Sequence, residues 1–116
     1  MNNDGWKDFK DHPVTEAKHR RILVWHVFQG ALVCLTRFVE SNSFNVRWRE
    51  LPEDWIKTSD RLPDQEDADF FNCVIARERT GAVYITGYHD VTERVFEAWQ
   101  RVPDPPKDYK ELILNG

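Results

Sequence analysis

The sequence predicts a mainly β protein: two diverged copies of a three-stranded antiparallel unit, packed as one compact pseudo-twofold domain. Three observations predict it. "WRELPED" at 48–54 is written again as "WQRVPDP" at 99–105, fifty-one residues later. Apolar runs rich in β-branched and aromatic residues fall at similar places in both halves. Helix signals are weak, confined to one turn at Thr15 to Arg20 and a short C-terminal helix at Asp108 to Leu114. The repeat spans 6–53 and 54–107, with 108–116 as a tail. A lone half of about 50 residues buries too little surface to be stable, so the halves should need each other.

In the first copy, Trp6 and Pro13 lead into "RILVWHVF" at 21–28, which "QG" at 29–30 reverses into "ALVCLTRFV" at 31–39. A third strand carries Phe44, Val46 and Trp48 on one side. In the second copy, Trp55 and Pro63 precede "FNCVIARE" at 71–78. "RTG" at 79–81 then turns the chain into "AVYITGYHD" at 82–90, and Val95, Glu97 and Trp99 mirror the third strand. At this offset Gly30 falls on Gly81, and Val24 near Val74 or Ile75. Trp48 and Trp99 read as core pillars. Ile22 and Val24 point to one face, and Leu23, Trp25 and Val27 to the other. A strand apolar on both sides must be covered on both sides, by the other half, a second copy of the chain or a bound partner.

No run of 18 apolar residues is present, so no membrane-spanning helix is expected. The polar, mixed-charge start resembles neither a signal nor a transit peptide, and the expected location is cytoplasmic. Cys34 and Cys73 are too few for a disulfide scaffold or zinc site and read as buried, reduced thiols. Residues 1–53 hold eight Lys or Arg against seven Asp or Glu, and residues 54–116 hold eight against thirteen, within a net charge of −4. An acidic chain is not the footprint of a general nucleic-acid binder. Its acidic half suits docking on a basic surface.

Catalytic signatures are missing. His12, His19, His26 and His89 show no metal-ligand spacing, and the serines of "ESNSFN" lack a nucleophile elbow. No glycine-rich phosphate loop occurs, so neither a catalytic residue nor a cofactor or metal is expected. The stretch "DQEDAD" concentrates four carboxylates, Asp64, Glu66, Asp67 and Asp69. It reads as a solvated loop, a contact for a basic protein, or a poor Ca²⁺ loop that lacks the EF-hand glycine and final Glu. Trp25, without an aromatic counterpart, is a further candidate for a protein interface. Arg20, Arg21, Arg47 and Arg49 form the alternative: a basic patch flanked by aromatics, suited to single-stranded nucleic acid.

The phrases "WIKTSDRLPD" at 55–64 and "AWQRVPDPPK" at 98–107, with "CVIA", Gly81, Tyr88 and Phe96 between them, resemble the phage and prophage family called domain of unknown function 551. Ala98 stands where that family often has His, and 6–53 resembles a degraded second copy. The resemblance implies a phage-type protein in a bacterial cytoplasm and implies no activity. The function expected is a non-enzymatic protein that binds and inhibits or redirects a host protein with a basic surface. That target would be a nucleic-acid-handling defence or takeover factor, and a small nucleic-acid-binding accessory protein is the alternative.

Overall fold

In the computed structural model, which describes residues 5–39, 45–108 and 110–111, the strand-rich runs fold as two antiparallel sheets. The chain divides into two units, Met1–Leu51 with Asp104–Gly116, and Pro52–Pro103. The division falls two residues before the end of the first sequence repeat.

The first unit holds β1 (Arg21–His26), β2 (Gly30–Leu35) and β3 (Asn45–Glu50), in the order β2-β1-β3. Alternation along β1 puts Ile22 and Val24 beside Trp48, all three without exposure, and Phe9, Val14, Ala17, Cys34 and Val39 pack around them. Burying each such side chain contributes about 1.5–3 kcal/mol. The opposite face of β1 is buried too, with Leu23 fully enclosed and Trp25 edge-on to Trp6 at 5.9 Å. One isolated bridge joins Lys7 to Trp48.

The second unit holds β4 (Ile56–Lys57), β5 (Cys73–Glu78), β6 (Val83–Gly87) and β7 (Phe96–Gln100), in the order β4-β7-β5-β6. Val74, Ala76 and Trp99 form its core with Val91 and Phe96, and Ile56 and Tyr88 pack against them.

Local chemistry agrees between the units. β1 pairs with β2 and β3 as β5 pairs with β6 and β7, and the register slips at the same place, after Trp25 and after Arg77. Lys7 meets Trp48 as Ile56 meets Trp99. The Trp48 indole donates to the carbonyl of His12 at 2.7 Å, and the Trp99 indole to that of Arg61 at 2.8 Å. Short 3-10 turns fall at Val14–Glu16 and Thr36–Phe38 in one unit, and at Gln65–Asp67 and Tyr88–Asp90 in the other.

The structure corrects three details of the sequence alignment. The first hairpin closes at His26 and Gly30 and turns through Val27, Phe28 and Gln29, so Gln29-Gly30 is not a two-residue reversal. The His26 Nδ1 accepts from the backbone N–H groups of Phe28 and Gln29 at 3.2 and 3.1 Å, which favours the longer turn. Gly30, at φ 77°, is thus the closing residue, whereas Gly81, at φ 97°, is the last turn residue before Ala82, and the two glycines are not equivalent. By register against the tryptophans, Val24 corresponds to Ala76 and Trp25 to Arg77. Cys34 and Cys73 lie on non-equivalent strands; both are free thiols and half-buried.

Of the C-terminal helix expected at 108–114, Lys110 and Glu111 are helical and the remainder, apart from Asp108, lies outside the described residues, as do Ser41, Ser43 and Phe44. No helix among the described residues is long and apolar enough to cross a membrane.

Candidate protein-docking site

The segment from Thr58 to Asn72 leaves β4 and returns to β5, and the strands hold it at several points. The Thr58 hydroxyl donates to the carbonyl of Phe96 at 2.7 Å. Trp99 fixes the Arg61 backbone from below, and the Arg61 guanidinium stacks on the same indole at 4.8 Å. Arg61 then grips Asp67 with both terminal nitrogens, at 2.7 and 3.1 Å, while Arg101 reaches the same carboxylate at 2.6 Å. The Asp67 side chain is 2% exposed, yet every charge on it is answered. Hydrogen bonding by Arg61, before any other influence, holds the Asp67 carboxyl well below the usual carboxylate range.

Asp64 caps the 3-10 turn: its carboxylate accepts from Glu66 N at 2.9 Å, and its own N–H donates to Asp67 at 2.9 Å. Next, Asp69 closes a tight turn around Phe70 and Phe71. Its Oδ1 accepts from the N–H groups of Phe71 and Cys73, each at 2.9 Å, and its carbonyl from Asn72 N at 2.9 Å. Asn72 completes the turn at φ 61°, a left-handed conformation that Asn tolerates better than most residues.

That turn lifts two phenylalanines out of the fold. Phe70 is 93% exposed and Phe71 51%, edge-on to each other with ring centroids 5.4 Å apart. Leu62, in the same segment, is also exposed. Acidic residues lie in the same segment and in the turn after β6. Asp64 and Glu66 are exposed, and Asp90 in the turn after β6 joins Asp69 near Cys73. Burial first, and then the charges of Asp69 and Asp90, push the Cys73 thiol up. Such a segment presents exposed aromatics together with exposed carboxylates, a combination suited to protein docking.

The predicted residues separate accordingly. Asp64 and Glu66 are available at the surface, whereas Asp67 is a buried structural node and Asp69 serves the turn. Trp25 lies 8% exposed against Trp6, inside the first unit. By strand register Arg21, Arg47 and Arg49 share one face of the first sheet, with Arg20 beside Arg21 in the chain. Arg47 is tied to Asp108 at 2.8 Å, and Arg49 lies over the Trp6 ring at 5.8 Å. Arg20 and Arg21 are exposed, and Thr36, next to exposed Arg37 in the chain, donates its N–H to the Arg20 carbonyl at 2.7 Å. An open polar recess of about 520 Å³ beside Trp6, Lys7, Asp8, His12, Arg47 and Asp108 carries both signs of charge, with its arginine already paired.

Sequence reading missed Phe70 and Phe71. Their signal was present: two adjacent large apolar residues placed between acidic residues and a turn-forming Asn, with no alternation to bury them both. Period-2 reasoning assigned Phe71 to the head of a strand that begins two residues later, at Cys73.

His89 and Asp90 approach no closer than 3.8 Å and are both largely exposed. No group of three His, Cys, Asp or Glu side chains that could hold a metal occurs among the described residues. Compared with known proteins, the chain matches no family model, no curated protein and no solved structure.

Proposed function

We propose that this chain is a phage-type binding protein, not an enzyme, and that it works by docking the acidic aromatic loop of its second unit on a basic surface of a host protein. The single observation that carries the reading is Phe70, almost fully exposed on a turn closed by three hydrogen bonds to Asp69. An exposed aromatic on an ordered loop loses little freedom on binding, and burying one contributes about 2 kcal/mol. Asp64, Glu66 and Asp90 steer it toward positive charge. A host protein that handles nucleic acid in the bacterial cytoplasm presents such a surface, and covering it would inhibit or redirect that protein. The resemblance of 54–107 to the phage domain of unknown function 551 supports this setting. The shared register, bridge and indole bonds of the two units support descent from one duplicated sequence.

The test is affinity capture from nuclease-treated bacterial lysate, followed by direct titration of the captured protein against wild type and Phe70→Ser/Phe71→Ser. Stoichiometric binding that weakens with salt and falls at least tenfold in the double variant is expected. Equal binding by both forms, or recovery of nucleic acid alone before nuclease treatment and of nothing after it, overturns the reading.

A further inference from the structure

The carbonyl of Arg20 accepts from Thr36 N at 2.7 Å, and the carbonyl of Asn72 from Tyr88 N at 3.0 Å. These bonds occupy the same place in the two units, where the centre strand begins and its hairpin partner ends. The two ends have opposite charge. In the first unit, Lys18, Arg20, Arg21 and Arg37 are all exposed, and the nearby Glu50 carboxylate is occupied by Lys18 N and His19. In the second, Asp64, Glu66 and Asp90 are exposed, while the two arginines present, Arg61 and Arg101, are drawn onto Asp67.

Each end also shows an aromatic. Phe38 is 72% exposed beneath the Arg37 guanidinium, 4.8 Å from its ring, and Phe70 stands at 93% at the corresponding end of the second unit. Isolated exposed apolar residues are ordinary on a surface. A large aromatic set among cations at one end of a fold, and another among carboxylates at the equivalent end of its counterpart, form a matched pair.

We infer that the chain associates with itself, the acidic aromatic end of one copy seated on the basic aromatic end of another. The inference rests on reading the Asp64–Asn72 loop as a docking site and names one partner for it. Two unlike surfaces of this kind pair either reciprocally in a closed dimer or serially in a longer assembly, and both are self-association through the same pair of ends. Exposed charges drive it, so salt weakens it strongly.

Sedimentation velocity of the full chain across a wide concentration range, at low and high salt, tests this. Wild type is expected to form concentration-dependent species larger than the monomer at low salt and to revert toward monomer at high salt. Arg20→Glu/Arg21→Glu and Glu66→Lys/Asp90→Lys should each be monomeric, and so should Phe70→Ser, which removes the anchor without changing charge. Thermal unfolding like that of wild type would show that the variants are folded. An equimolar mixture of the two charge-reversed variants should regain association, since the unaltered ends are complementary and the reversed ends carry opposite charges to each other. Wild type that stays monomeric throughout, or a mixture that does not associate, overturns the inference. So does a monomeric wild type that retains a single-stranded oligonucleotide through Arg20 and Arg21, which would assign the basic end to nucleic acid. Capture of a host protein through Phe70 without self-association would overturn this inference alone and leave the proposed docking function standing.

Discussion

Trp48 and Trp99 make the same hydrogen bond: each is fully buried beside the centre strand of its unit, and each indole N–H donates to a loop carbonyl, His12 in one case and Arg61 in the other. The tryptophan therefore ties the loop to the core. Replacing either by Phe leaves the carbonyl unsatisfied and a small void, and should cost about 2–3 kcal/mol. Urea unfolding followed by circular dichroism measures it. A loss under about 0.5 kcal/mol, the scale of an ordinary surface change, would refute the tie.

Asp67 makes stability depend on acid. Its folded pKa lies below the unfolded value of about 3.9, so the stabilisation is complete above that value and is lost as pH falls through it toward the folded pKa. Asp67→Asn should cost about 2 kcal/mol at neutral pH, because Arg61 and Arg101 lose their shared counter-charge. Below about pH 4 the variant and wild type should begin to converge, and they should meet only once the pH has fallen well below that value. Unfolding midpoints measured across that range check both the size and the sign.

Gly81 is required by backbone shape alone. It adopts φ 97°, and a Cβ there would meet no atom within 4 Å. Gly81→Ala should cost about 1 kcal/mol through strain, with no steric contribution. Gly81→Asn should recover part of that, since Asn tolerates positive φ better than Ala. Chemical unfolding of the pair separates the two effects. Equal stability of the three proteins would show that the turn can relax.

His26 acts on its own hairpin. The ring nitrogen that accepts from Phe28 and Gln29 lies within the turn, and its removal leaves two N–H groups to solvent. His26→Ala should cost about 1 kcal/mol. Amide hydrogen exchange should accelerate at Phe28 and Gln29, with little change at Leu23 and Val24 in the strand core. Unchanged exchange at both turn positions would show that the ring is not a cap.

The strands were legible because β-branched and aromatic runs at matched places leave few alternatives to two β units. Ile22, Val24 and Trp48, and later Val74, Ala76 and Trp99, follow from alternation once the strands are set. Register within the hairpins was not legible. It depends on whether a side chain, here His26, reaches back to cap a turn, and on a glycine doing one of two jobs at nearly the same place. Charge was legible as a sum and illegible as a surface. In sequence Asp67 looks like its neighbours, but two arginines from distant positions, Arg61 and Arg101, draw it inward. The same folding that hides Asp67 leaves Phe70 outside, against its own hydrophobicity.

The hydrogen bonds that close the Phe70–Phe71 turn come from backbone groups, the Asp69 carboxylate and the Cys73 thiol; neither aromatic ring takes part. The tip is therefore released from any duty to the fold. Its two side chains can be exchanged for others while the turn keeps its shape, so the surface of the tip is free to vary without loss of the fold.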